Sequence, residues 1–557
     1  MPCLFCGNIE TPGIFKPHYP CQLSDGEPCA PCKEVQELEP QIEQAKDALH
    51  KMLIRHRELR TRMNHSHNPI IQQVPTEVVA RIFELCVLEP LGASYREMTK
   101  NERRMPLIIG SVCRVWRQIA FSTPQIWTSI SIHLGNRHRP AQSGPTYYTL
   151  AEEWLSRSRD LPLSVHVYGD EHSEEIRLLE LLSQHSSRWE CLDLALPYRV
   201  ASCLQGDSRG TSILRRLQLY CEDDSSYRYI GEHSFSPINM KLYPTSVSLI
   251  SWPLKRANIE WTHATHVDLL SPDFSDCAEV LRRAPQLTYF EFTDARVGIF
   301  STSVRYTVPT TPFPCPLLQE LHIGVSGENM IEDFFNSFTL PGLEVLAISG
   351  SLYTHTPPTT NRLISFIKRS SCRLTSLSLA KGSISKVEMV LLLQEIPFVR
   401  TLRFTHMLDV FLCVLKQLAV TPRNGAQENG CILPVLESLS FHGSDISEEP
   451  FPWSLVPEIF APLSEIQGPH QRPLRKFDIS FDQKDRLNSV LPMDEASMHH
   501  FLELKKAGVA LSFKVIYKEY AMTDEPYRWV IEELDLLELS IEHHGKITKP
   551  GSSESLS

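Results

Sequence analysis

From Trp189 onward the chain repeats a six-residue pattern, apolar-x-x-apolar-x-apolar. It reads WECLDL at Trp189, LRRLQL at Leu214, LTYFEF at Leu287, LQELHI at Leu318, LEVLAI at Leu343, LTSLSL at Leu374, VRTLRF at Val399, LESLSF at Leu436 and LRKFDI at Leu474, with a weaker copy, ATHVDL, at Ala264. Apolar positions two apart predict a strand that buries every second side chain. Several copies follow a stretch of helical period ending at Pro or a polar cluster, as in CAEVLRRAPQLTYFEF and RLISFIKRSSCRLTSLSL. In LQELHI the alternation turns Leu318, Leu321 and Ile323 inward and Glu320 and His322 outward. The same count turns outward Tyr289 and Glu291, Ser376 and Ser378, Thr401 and Arg403, and Ser438 and Ser440. LPLSVHV (161–167) and VALSFKVIY (509–517) read as flanking strands.

Ahead of the repeats the period changes. Ile42, Ala45, Leu49, Met52, His56, Leu59 and Met63 recur in steps of three and four, a helix over 34–68 with Pro40 in its first turn. Glu37, Glu39, Glu43 and Asp47 sit near its start and Lys51, Arg55, Arg57, Arg60 and Arg62 near its end, matching the helix dipole. It reads as a short coiled coil or as a single amphipathic helix packed on the next domain, and the packed helix is the expected form. Past it, Pro75 and Glu77 open a second helix with Val78, Ile82, Phe83 and Cys86 on one apolar face. After a polar stretch a third runs through Val112, Val115, Trp116, Ile119 and Ala120, and TPQIW (123–127) closes the unit. So small a unit holds more apolar surface than it can hide, which marks a partner site.

Here the residues carry a resemblance. VPTEVVARIFELC followed by MPLIIGSVCRVWRQIAFSTPQIW is similar to an F-box, particularly to those of fungal F-box proteins: a Pro-x-Glu opening, an Ile-Phe helix, Val-Cys-Arg-x-Trp-Arg and a final Pro-x-x-Trp. The insert between Leu88 and Met105 is longer than in many F-boxes, and Val74 stands where Leu is commoner. The resemblance implies docking on the Skp adaptor of SCF ubiquitin ligases, and through it a cullin. It carries Pro75, Glu77, Ile82, Met105, Pro106, Leu107, Val112, Cys113 and Trp116 onto positions that face the adaptor or build that surface. The C-terminal pattern, strand period 2 after helix period 3.6 at irregular intervals of roughly 22 to 38 residues, is that of a leucine-rich repeat. Such repeats stack into a solenoid with a concave strand face. The implied fold class is α/β: a short N-terminal helix and an F-box helical module, then an irregular leucine-rich-repeat solenoid. The expected divisions are a Cys-rich segment 1–33, the helix 34–68, the F-box 70–135, the solenoid 150–545 and a disordered tail 546–557. The outward strand residues Tyr289, Glu291, Glu320, His322 and Arg403 are the expected target-binding set.

Composition narrows the alternatives. The 557 residues carry a net charge of −11, which disfavours an electrostatic grip on nucleic acid. No run is long and apolar enough to cross a membrane, and the N-terminus has no signal-peptide pattern. Ten of the fifteen cysteines are scattered singly from Cys86 to Cys431, as expected of buried reduced thiols in a cytoplasmic or nuclear protein. The other five lie in the first 32 residues. Cys3 and Cys6, with Cys29 and Cys32, form two C-x-x-C pairs separated by 22 residues, with His18 and Cys21 between them. Two such pairs can complete a tetrahedral structural zinc site; the alternative is a tail with incidental cysteines.

No enzyme chemistry is expected. GDSRG (206–210) matches G-x-S-x-G but lacks the preceding buried strand and following helix of a hydrolase nucleophile. The His pairs at His499 and His543 read as solvated surface. The function expected is thus substrate recognition for an SCF-type ubiquitin ligase. The alternatives are an F-box scaffold outside a ligase and a zinc-dependent nucleic-acid binder.

Overall fold

A computed structural model describes residues 29–67, 74–87, 104–134, 144–169, 176–196, 198–204, 206, 213–221, 238, 240–296, 308–325, 330–350, 360–380, 384–420, 432–444, 451–460, 472–483, 493–521 and 528–547. They fall into two compact units, 29–87 with 104–123, and 124–547.

The first unit is helical: α1 (Ala30–His67), α2 (Thr76–Val87), α3 (Met105–Val112) and α4 (Arg114–Ser122). Helix α1 starts at Ala30, four residues before the expected 34, so Pro40 lies inside it and not in its first turn. None of its described side chains is buried, which corrects the expectation of a helix packed on the next domain. The other three helices pack on one another around Val79, Phe83, Ile109, Ile119 and Ala120.

The second unit is built on a sheet of fifteen strands in which every strand lies beside its neighbours in the chain. All pairs are parallel except the last, where 510–521 runs antiparallel to 528–535. All ten copies of the six-residue pattern lie on strands of this sheet, and the alternation holds. Leu321 and Ile323, Leu377 and Leu379, and Leu402 and Phe404 are buried, while their neighbours face outward. Both flanking runs are strands as well. Three further strands carry no copy: Ser246–Ile250, Arg528–Asp535, and Ser129–Leu134, which the expected F-box 70–135 had absorbed.

One continuous apolar core runs from Ile130 to Leu537. Phe recurs at the third inward position, as Phe292, Phe404 and Phe441, and its rings reach the helices: Phe292 meets Phe334 at 5.4 Å, and Phe441 stacks on Phe411 at 5.0 Å. The helices begin where their sequences supply caps. The Asp273 carboxylate accepts the Ser275 N–H at 3.0 Å, Ser385 and Glu388 form a reciprocal capping box, and Asp494 accepts the Ser497 N–H at 2.8 Å.

Entry to the nine successive strands of the sheet from Ser246–Ile250 to Lys476–Gln483 reuses one backbone device. The carbonyl just before a strand accepts two N–H groups from the next. Thr245 and Ser246 donate to Arg215, Thr288 and Tyr289 to Thr265, Thr375 and Ser376 to Glu344, and Glu437 and Ser438 to Arg400. The scattered cysteines are less uniformly buried than expected. Cys221 and Cys277 are buried, but Cys86 is exposed and several others are half-buried; the described cysteines are all free thiols. Among the described residues no helix is long and apolar enough to cross a membrane.

Candidate functional site

In α2 the apolar residues divide between two faces. Val79 and Phe83, four apart, are buried, while Val78, Ile82 and Leu85 form a stripe along the exposed side. The single face expected from Val78, Ile82, Phe83 and Cys86 is therefore split. Successive residues lie about 100° apart around a helix, so Phe83 turns inward where Ile82 turns out. Pro75 precedes the first turn, and its carbonyl accepts the N–H groups of Val78 at 3.0 Å and Val79 at 3.1 Å. Glu77, exposed in that turn, meets the positive end of the helix dipole.

The α3–α4 corner is held by short-range polar contacts. Cys113 caps α4, its Sγ accepting the Trp116 N–H at 3.4 Å, and Arg117 Nε donates to the Gly110 carbonyl at 2.8 Å. The Trp116 ring packs on Phe83 with centroids 5.0 Å apart, and its buried indole N–H finds no acceptor among the described residues. On the outside, Leu107, Ile108, Val112 and Phe121 are exposed, with Val112 at 55%. Of the nine residues assigned to an adaptor surface, Pro75, Glu77, Ile82, Leu107 and Val112 are exposed and Met105, Cys113 and Trp116 half-buried. Pro106 is buried, a support and not a contact. The same helical count finds three more exposed positions, Val78, Leu85 and Ile108.

Trp127 belongs to the second unit and not to the end of the first. It is wholly buried, edge-on to Trp154 at 4.8 Å, with the Arg157 guanidinium 4.7 Å over its ring; Trp154 Nε1 donates to the Ser129 carbonyl at 3.0 Å.

On the outward side of the sheet, register brings four of the five target-set residues together. Tyr289 lies beside Glu320, and Glu291 beside His322. The Tyr289 hydroxyl donates to Glu291, and His322 Nε2 lies 2.8 Å from Glu320 Oε1. The Tyr289 ring sits between His322 at 5.4 Å and His266 at 5.9 Å. Burial, and secondarily its bond to Glu291, raises the Tyr289 hydroxyl pKa. Asp268 extends the cluster: burial and then the neighbouring Glu291 push its carboxyl up, opposed by a hydrogen bond from Ser248 at 3.3 Å. His266 and Asp268 come from the weak copy ATHVDL, and the outward count applied to it finds both. Arg403 stands apart, three strands from His322 in the same row by way of Ala347 and Ser378, about 14 Å at ordinary strand spacing.

Cys29 and Cys32 lie with their Sγ atoms 3.5 Å apart at the start of α1. Two thiolates on one tetrahedral zinc stand about 3.8 Å apart, so the pair fits two corners of such a site. Cys3 and Cys6 lie outside the described residues, as do His18 and Cys21; the described residues contain no group of three or more metal-ligating side chains. Most of GDSRG, 207–210, likewise lies outside them. Of the His pairs, His544 is half-buried, its Nε2 2.8 Å from the Met493 carbonyl, so it is not merely solvated.

No protein-family model matches the chain, and no curated protein matches it. What these surfaces can do follows from their own geometry.

Proposed function

We propose that the chain is a substrate-recognition subunit of an SCF-type ubiquitin ligase. Its first unit is an F-box that docks on the Skp adaptor, and its second a leucine-rich-repeat solenoid that binds a protein target. The observation that carries this reading is the apolar exterior of the three-helix unit. Val78, Ile82, Leu85, Leu107, Ile108 and Val112 are all exposed on a unit that already has its own core. They lie within the segment that resembles an F-box. A row of strands in chain order, each with inward leucines, supports the solenoid. Its half-buried Tyr289, Glu291 and His322 beside Glu320 offer a target hydrogen-bonding groups on an aromatic platform. The chain itself performs no transfer chemistry; it holds target lysines near the enzyme that does.

The test is co-purification with the Skp adaptor and a cullin. Pro75→Ala with Leu107→Ala should lower adaptor affinity more than about tenfold, as loss of central apolar contacts does, without changing the melting temperature. Undiminished binding would refute the assignment. Tyr289→Ala with His322→Ala should remove the target and keep the adaptor. A scaffold outside a ligase would bind the adaptor without supporting ubiquitin transfer to any co-purified protein. Nucleic-acid binding is disfavoured because Asp193, Asp268 and Glu291 occupy one outward row, with Glu320 alongside.

A further inference from the structure

Helix α1 is used by neither surface. Carried back toward its start, the apolar series also takes in Val35 and Leu38. The series then runs Val35, Leu38, Ile42, Ala45, Leu49, Met52, His56, Leu59, Met63, in unbroken steps of three and four over a helix about 57 Å long. With Val35 at position a, Ile42, Leu49, His56 and Met63 follow at a, and Leu38, Ala45, Met52 and Leu59 at d. Among the described residues nothing covers this seam: Leu49 is 54% exposed and Met52 63%. Helices of soluble proteins draw most of their stability from a packed apolar face, and among the described residues α1 has none. Pro40 falls at f, opposite the seam, where its ring meets no partner.

The charges beside the seam identify the occupant. Positions e and g carry Glu34 and Glu39 in the N-terminal part, Lys46 near the middle, and Arg55, Arg60 and Arg62 in the C-terminal part. In a parallel pair of identical helices, g of one heptad faces e of the partner's next. Glu34 would then meet Glu39, and Arg55 would meet Arg60. Turning one helix end for end puts g opposite g and e opposite e. Glu34 then faces Arg62, Glu39 faces Arg60, Gln41 faces Arg55, Lys46 faces Leu53, and Ala48 crosses its own copy at the centre. Every like-charge contact becomes an attractive or neutral one, and the two helix dipoles oppose. We infer that α1 pairs with α1 of a second copy of this chain as an antiparallel two-stranded coiled coil, making the protein a homodimer.

Sedimentation equilibrium of the full chain between about 1 and 100 μM, a range that resolves micromolar association, is the test. The wild type should be dimeric and the double variant Ile42→Asp/Leu49→Asp monomeric. Both should melt at the same temperature, because no described α1 side chain is buried. Arg55→Glu with Arg60→Glu and Arg62→Glu should weaken the dimer at least about tenfold by setting acid against acid at both ends. Adding a chain bearing Glu34→Arg and Glu39→Arg should restore pairing as a heterodimer. A parallel dimer would be indifferent to the triple reversal, which only exchanges an Arg–Arg contact for a Glu–Glu one. A monomeric wild type, a dimer that survives Ile42→Asp/Leu49→Asp, or an unchanged constant for the triple variant would each overturn the proposal.

Discussion

Adjacent residues Ile82 and Phe83 on α2 should respond in opposite ways to the same truncation. Phe83 is 2% exposed and its ring lies against Trp116, whereas Ile82 is 45% exposed. Removing a buried Phe ring costs about 3–5 kcal/mol, and removing an exposed aliphatic side chain stays within about 0.5 kcal/mol. Helices α2, α3 and α4 hold 12, 8 and 9 residues. At about 0.1 kcal/mol per residue such a unit is stable by only a few kcal/mol, so Phe83→Ala removes most of its margin. The sheet unit, with its own core, should be untouched. Hydrogen exchange with peptide resolution separates the cases. In Phe83→Ala, amides of 105–122 should exchange at least about a hundredfold faster, since each 1.4 kcal/mol is a factor of ten, while amides of 376–405 keep their protection. In Ile82→Ala both regions should be unchanged, and only adaptor binding should fall. Equal acceleration in the two variants would refute the assignment of inner and outer faces.

Three further outcomes are expected. Asp276, half-buried where it accepts the Leu254 N–H at 3.1 Å, has its carboxyl pushed up to about 6, chiefly by loss of solvation. A raised carboxyl stabilises the fold when protonated and loses that contribution as pH rises through about 4 to 6. Asp276→Asn should therefore match the wild type at pH near 4 and melt higher at pH near 8, and a loss of stability equal at both would contradict this. Arg472 donates to the carbonyls of Ile432, Leu433 and Leu418 at 2.9, 3.2 and 3.2 Å. Arg472→Ala should cost about 2–4 kcal/mol by urea denaturation, and Arg472→Lys should recover less than half, because an ammonium cannot fork to three acceptors. Purified under reducing conditions, the full chain should carry one zinc that Cys29→Ser/Cys32→Ser removes; a wild type without zinc by elemental analysis would show the four cysteines to be incidental.

Much of the sheet was legible because its repeat couples two signals, the leading apolar residue and the alternation after it. Ser246–Ile250 escaped notice because Pro244 stands where the other copies have a leading apolar residue, although Val247 and Leu249 keep the alternation. SISIHL escaped for another reason: Trp127 looked like the end of the helical module, yet it is packed under Trp154 as part of the sheet unit. In α2 the pattern shows a wide apolar arc, and only packing reveals which edge of it is covered. A first turn is the commonest helical place for Pro, whereas Pro40 lies inside a longer, continuous helix. In the polar cluster, alternation placed Tyr289, Glu291, Glu320 and His322 correctly, but only strand register shows that Arg403 stands three strands away.

The doubled carbonyl at the entries of the nine inner strands also bears on how the second unit would answer to mechanical load. Every strand is bonded only to its neighbours in the chain, so a pull on either end meets one interface at a time. Parallel strands drawn apart at their entry lose the paired N–H groups first, two bonds on one acceptor, before the rest of the ladder opens. Force is therefore not shared among the fifteen strands. The unit should yield as a succession of small, similar steps, peeled from its ends inward, whatever its total resistance to heat.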